Sequence, residues 1–76
     1  MLYGSIDILN TSQTNVYLRL IEMENNQYND ITISPSENMQ HVTISRQLTS
    51  SQNIRLSLII RVPSKVYLDN ISLINT

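Results

Sequence analysis

Residues 54–62 read IRLSLIIRV. Ile54, Leu56, Leu58, Ile60 and Val62 alternate with Arg55, Ser57, Ile59 and Arg61. A period of two places alternate side chains on opposite faces of a strand, and a 3.6-residue period does not fit this pattern. One row is wholly apolar and the other holds both arginines, so a strand with one face toward a core is expected.

The same alternation recurs along the chain. Residues 2–9, 16–23, 28–33, 39–48 and 65–74 read as further strands. Ile6 and Ile8 oppose Asp7 and Leu9 in the first, and Val16, Leu18 and Leu20 oppose Tyr17, Arg19, Ile21 and Met23 in the second. In the fourth, Val42, Ile44 and Leu48 oppose His41, Thr43 and Ser45. Polar segments separate them: 10–15, the Asn25-Asn26 pair, 34–38, 49–53 and Pro63-Ser64. Asn tolerates positive φ, so Asn25-Asn26 is expected to close a hairpin. Ser34 and Glu37 have the spacing of a capping box, but no periodic helix follows, which limits that segment to one helical turn. Six short strands at this spacing predict an all-β fold, a small antiparallel β-sandwich of jelly-roll type, over residues 1–76 as one domain.

Composition agrees. The chain has 76 residues, with 11 Ile, 9 Leu and 4 Val but no Ala, Phe or Trp. Branched side chains favour the pleated surface, and the lack of Ala disfavours long helices. Only 14% of residues are charged and the net charge is −1, which is too neutral for a surface that tracks phosphates, so no nucleic-acid partner is expected. No apolar run exceeds three residues, so neither membrane insertion nor a leader segment is expected within these residues. There is no Cys, so no disulfide helps a domain small enough to be marginal alone.

The order of the strands and their wording resemble a known family. KVYLDNISLI at 65–74 is similar to the closing strand of galactose-binding-like, jelly-roll carbohydrate-binding modules, which commonly end in V-Y-[IL]-D-[DN]-[VI]-S-L. GSIDILNTSQTNVYLRLIEM at 4–23 resembles the central strand pair of the same modules. The likeness covers nearly all of this chain but about half of a usual module. Met39 stands where the family often has Trp, and the family's strands upstream of Tyr3 have no counterpart. Many such modules hold a structural calcium with the closing Asp and groups of those first strands. Asp69 matches the Asp, its partners are missing, and no metal or other cofactor is expected. The Ile-, Asn- and Ser-rich style also resembles proteins of AT-rich Gram-positive bacteria and their phages.

The resemblance implies a non-catalytic module that binds a cell-surface or cell-wall glycan, outside the cell or on a virion, linked to a catalytic or virion protein such as a phage endolysin. Its alternative is a structural oligomerisation module of a phage tail or fibre. Sugar recognition needs aromatic platforms and planar polar groups. Tyr17, Arg19, Arg55, Arg61, Tyr67 and Asp69 are of those types and are expected on one face, where an Arg, Arg19 or Arg61, would pair Asp69. The same residue types suit an interface. Val66 and Leu68 are expected opposite Tyr67, Asp69, Ile71 and Leu73. Ile21, Met23, Ile59, Ile71 and Leu73 then add apolar area to the second face, and self-association into a homo-oligomer is expected to cover it.

Catalysis is not expected. His41 is the only His, and no acid stands two residues away to orient it as a triad requires. Glu22 and Glu24 read as solvated charges beside a turn, and Asp30 as part of a plain turn.

Overall fold

The computed structural model describes residues 1–49 and 53–76. Six strands form, and no helix occurs among the described residues: β1 (Leu2–Asn10), β2 (Val16–Glu22), β3 (Gln27–Ile33), β4 (Gln40–Arg46), β5 (Ile54–Ile59) and β6 (Val66–Asn75). They make two antiparallel three-stranded sheets, ordered β4-β1-β6 and β3-β2-β5. The fold is a small β-sandwich, as the alternation predicts. The loop expected at 49–53 falls mostly outside the described residues.

β1 and β2 are the central strands, and their inward rows face each other. Leu2, Ile6, Ile8, Val16, Leu18 and Leu20 are buried, joined by Ile33 of β3 and Ile44 of β4. Gly4 stands in the same row. A Cβ there would lie 2.9 Å from Leu56 Cδ1 and 3.3 Å from Ile44 Cγ2, so the absence of a side chain lets β5 seat on β1. The turn Met23–Asn26 closes the β2–β3 hairpin, with Asn26 at φ 58° and its N–H donating to the Glu22 carbonyl at 2.9 Å. Residues 34–38 form no helical turn; the Ser36 hydroxyl instead accepts the Asn38 N–H at 3.1 Å.

β5 ends at Ile59, earlier than the alternation suggests, and Ile60 and Val62 beyond it are exposed. β6 departs from its expected pattern further. Ser5 pairs Ser72 and Asp7 pairs Asp69, so Ile6 of β1 opposes both Asn70 and Ile71. This is a β-bulge, and its extra residue, Asn70, has φ 51°. A bulge of this kind wants a left-handed residue, and after Gly, Asn accepts that conformation most readily. The bulge shifts the alternation by one. Val66 and Leu68 face inward before it, while Leu73, opposite Gly4, faces inward after it. Ile71 and Leu73 therefore belong to the inner row with Leu68, which corrects the expectation that they share a face with Tyr67 and Asp69.

The two sides of the sandwich differ. On one side β4 lies against β2 and β3, stitched by the Arg46 guanidinium. Its Nε donates to Glu22 Oε2 at 2.6 Å, Nη1 to Asn29 Oδ1 at 2.6 Å and Nη2 to Gln27 Oε1 at 3.1 Å. Glu22 Oε1 accepts the Thr49 N–H and hydroxyl at 3.2 and 3.0 Å. Glu22 is fully buried, a correction to its reading as a solvated charge. It occupies an inward position of β2, and a buried carboxylate is tolerable because it is paired and hydrogen-bonded. On the other side, no comparable seam joins β5 to β6 among the described residues.

Candidate functional site

The outer face of β3-β2-β5 carries the polar aromatic cluster. Register sets it out in cross-strand rows: Tyr28–Ile21–Arg55, Asp30–Arg19–Ser57 and Thr32–Tyr17–Ile59. Arg19 donates through Nε and Nη2 to both Asp30 oxygens at 2.8 and 2.9 Å. Its guanidinium lies 3.9 Å from the Tyr28 ring centre, and that of Arg61 lies 5.2 Å from the Tyr17 ring centre. The forked hydrogen bond raises the Arg19 pKa and holds the Asp30 carboxyl below its ordinary value. Bidentate pairing and stacking fix these side chains before any ligand arrives.

Four of the six expected site residues, Tyr17, Arg19, Arg55 and Arg61, therefore share this face. Tyr67 and Asp69 do not, because β6 pairs with β1 in the other sheet. Lys65 Nζ stands 5.5 Å from the Tyr67 ring centre, and hydrogen bonding to Tyr67 raises the lysine's pKa. Asp69 takes no partner from Arg19 or Arg61, which are engaged with Asp30 and Tyr17; its Oδ1 accepts the Asn70 N–H at 2.9 Å. Alternation places a residue on a face of its own strand but does not say which sheet the strand joins. Tyr28 and Asp30 belong to the cluster and were not expected in it. Their spacing of two puts both on one face of β3, and the hairpin register then sets them opposite Ile21 and Arg19.

The outer face of β4-β1-β6 holds a second polar group. Asp7 Oδ1 lies 2.6 Å from His41 Nδ1, and Asp7 Oδ2 accepts Asn70 Nδ2 at 2.7 Å. These contacts, that from Asn70 first, hold the Asp7 carboxyl below its ordinary value. The acid missing beside His41 in sequence is thus supplied across the ladder, since His41 and Asp7 are register partners. The pair has the His–carboxylate arrangement of a triad, but no hydroxyl among the described residues bonds the other ring nitrogen. No three His, Asp or Glu groups gather as metal ligands among the described residues.

Two of the surface hollows bear on these faces. One, of about 340 Å³, opens over Asn10, Ser12 and Pro35. Asn10 is buried there and its side chain is satisfied by the Thr14 and Ile33 carbonyls and by Ser12, so it shapes the loops. The other, of about 160 Å³, lies between the sheets at the β5 and β6 edges and is lined by Ile6, Leu18, Leu56, Leu58, Leu68 and Ile71.

These features define a small β-sandwich with a preorganised aromatic–arginine face and an open apolar seam. Comparison of the chain with protein-family models, with curated proteins and with solved structures finds no match.

Proposed function

We propose that the chain is a non-catalytic recognition module for a cell-surface or cell-wall glycan, acting within a larger extracellular or virion assembly such as a phage endolysin or tail protein. The observation that carries this reading is the paired cluster of Tyr28, Arg19, Asp30, Tyr17 and Arg61 on one sheet face. Tyrosine rings offer platforms for sugar C–H faces, and the guanidinium–carboxylate fork offers donors and acceptors to hydroxyls. The register sets Tyr28 opposite Ile21, four residues along β2 from Tyr17. At ~3.4 Å per residue the two backbone positions are about 14 Å apart along the strand, and a pair of platforms on one face suits an oligosaccharide better than a single sugar.

Pull-down of the purified chain with Gram-positive cell walls tests the reading, with Y17A, Y28A and R61A as face variants and Y67A as the control on the other sheet. Binding lost by about tenfold or more in the face variants and retained in Y67A supports it. Absence of wall binding by folded protein rejects it.

The second reading is a structural oligomerisation module with no ligand of its own. The seam lined by Leu56, Leu58, Leu68 and Ile71 favours it. A chain that assembles but binds no wall leaves this reading standing alone.

A further inference from the structure

The inner row of β6 faces a core that does not reach it. Leu68, Ile71 and Leu73 are 43%, 66% and 44% exposed although they lie on the inward side of the sheet. Leu56 and Leu58 across the gap are half-buried. Monomeric surfaces rarely leave more than roughly 300–600 Å² of contiguous apolar area open, and this strip runs along two strands that are both sheet edges. An edge strand presents unpaired N–H and C=O groups that template another strand. β6 has no Pro, its one charge, Asp69, points to the outer face, and its one guard, the bulge at Asn70, leaves the stretch from Ile71 to Asn75 regular.

We infer that a second copy of this chain closes the seam, with β6 pairing antiparallel to β6 of that copy about a two-fold axis through Ser72. Three observations select this occupant and register. An antiparallel edge is self-complementary under a two-fold, so each copy supplies to the other the surface it lacks. Beyond the bulge, alternation is unbroken from Ile71 to Asn75. Centring on Ser72 therefore sets Ile71 of each copy against Leu73 of the other on the inner face, where directly opposed side chains touch. Charge excludes the competing register. A pairing centred between Asp69 and Asn70 also keeps the apolar rows on one face, but it crowds two Asp69 and two Asp7 carboxylates together, since Asp7 is the register partner of Asp69. With Asn70 set aside as the bulge, the Ser72 centre brings the outward Asp69 beside the outward, uncharged Ile74 of the other copy instead. The assembly leaves the face of Tyr17 and Tyr28 free, so it holds under either reading of function.

The test is solution mass together with cysteine cross-linking. The chain has no Cys, so a single introduced thiol reports one position. Light scattering at micromolar concentration is expected to give twice the 8.7 kDa of one chain. S72C is expected to form a covalent dimer under mild oxidation, because cross-axis Cα atoms of a strand pair fall within disulfide reach of about 4.4–6.8 Å. T43C, on the distant β4 edge, is the control. I71D is expected to weaken dimerisation at least tenfold while keeping a β-type circular dichroism spectrum. A folded wild-type chain at the mass of one copy, an S72C variant that cross-links no faster than T43C, or a folded I71D that stays fully dimeric each overturns the inference.

Discussion

Asn70 Nδ2 donates to Asp7 Oδ2 at 2.7 Å across the bulge of β6. This contact explains an Asp-Asn pair in the middle of a strand. Asn70 accepts the left-handed backbone and bonds the neighbouring strand, while Asp69 caps the Asn70 N–H. The bulge then reverses the alternation and delivers Ile71 to the inter-sheet seam.

Substitution at Asn70 separates backbone from side chain. In N70A the left-handed conformation is strained by about 1–2 kcal/mol and the bond to Asp7 is lost as well. N70G loses the bond but keeps the conformation without strain. Urea unfolding is expected to rank the variants wild type, then N70G, then N70A. N70A as stable as N70G would show that the bulge relaxes when Asn70 is replaced.

The buried Glu22–Arg46 pair makes a sharper prediction. Removing one partner strands the other charge in a dry site, which typically costs about 3–5 kcal/mol. R46M and E22Q are each expected to lower the urea midpoint strongly, and the double variant E22M/R46M is expected to be more stable than R46M alone. A double variant that loses the sum of both single effects would mean that Glu22 and Arg46 act independently.

Acid should weaken the fold through Asp7 and Asp30. Hydrogen bonds from Asn70 and His41 lower the first, and the Arg19 fork lowers the second. The folded chain therefore binds fewer protons than the unfolded chain near their pKa values. Their stabilisation is complete above about pH 5 and is lost as pH falls through the lowered folded values. In thermal melts from pH 5 to pH 2, D7N/D30N is expected to lose less stability than wild type. Parallel pH profiles for the two proteins would assign the acid response to other carboxyls.

Much of the fold is legible in the residues. The six alternating segments carry strand number, the Asn25-Asn26 turn carries the hairpin position, and the alternation in 2–9, 16–23 and 39–48 carries the inward rows of β1, β2 and β4. What escapes is non-local or depends on backbone conformation. Nothing in 65–74 alone says that β6 lies beside β1 and away from β2, so the residue types alone group Tyr67 and Asp69 with arginines of the opposite sheet. Asn70 is the one local sign of the bulge, and a two-residue period read straight through it assigns Ile71 and Leu73 to the wrong face. Glu22 sits on the inward parity of Val16, Leu18 and Leu20, and that parity was available; its partner Arg46, two strands away, was not. Tyr28 and Asp30 join the aromatic face only once the β2–β3 register is known.

The account rests on a sandwich closed by Arg46 on one side and left open along β5 and β6 on the other. Amide hydrogen exchange at low and high protein concentration tests this most directly. Protection is expected to rise with concentration along Ile71–Asn75 of β6 and to stay constant in β3 and β4. Exchange in β6 that does not depend on concentration, or a rise confined to β3 and β4, would contradict it.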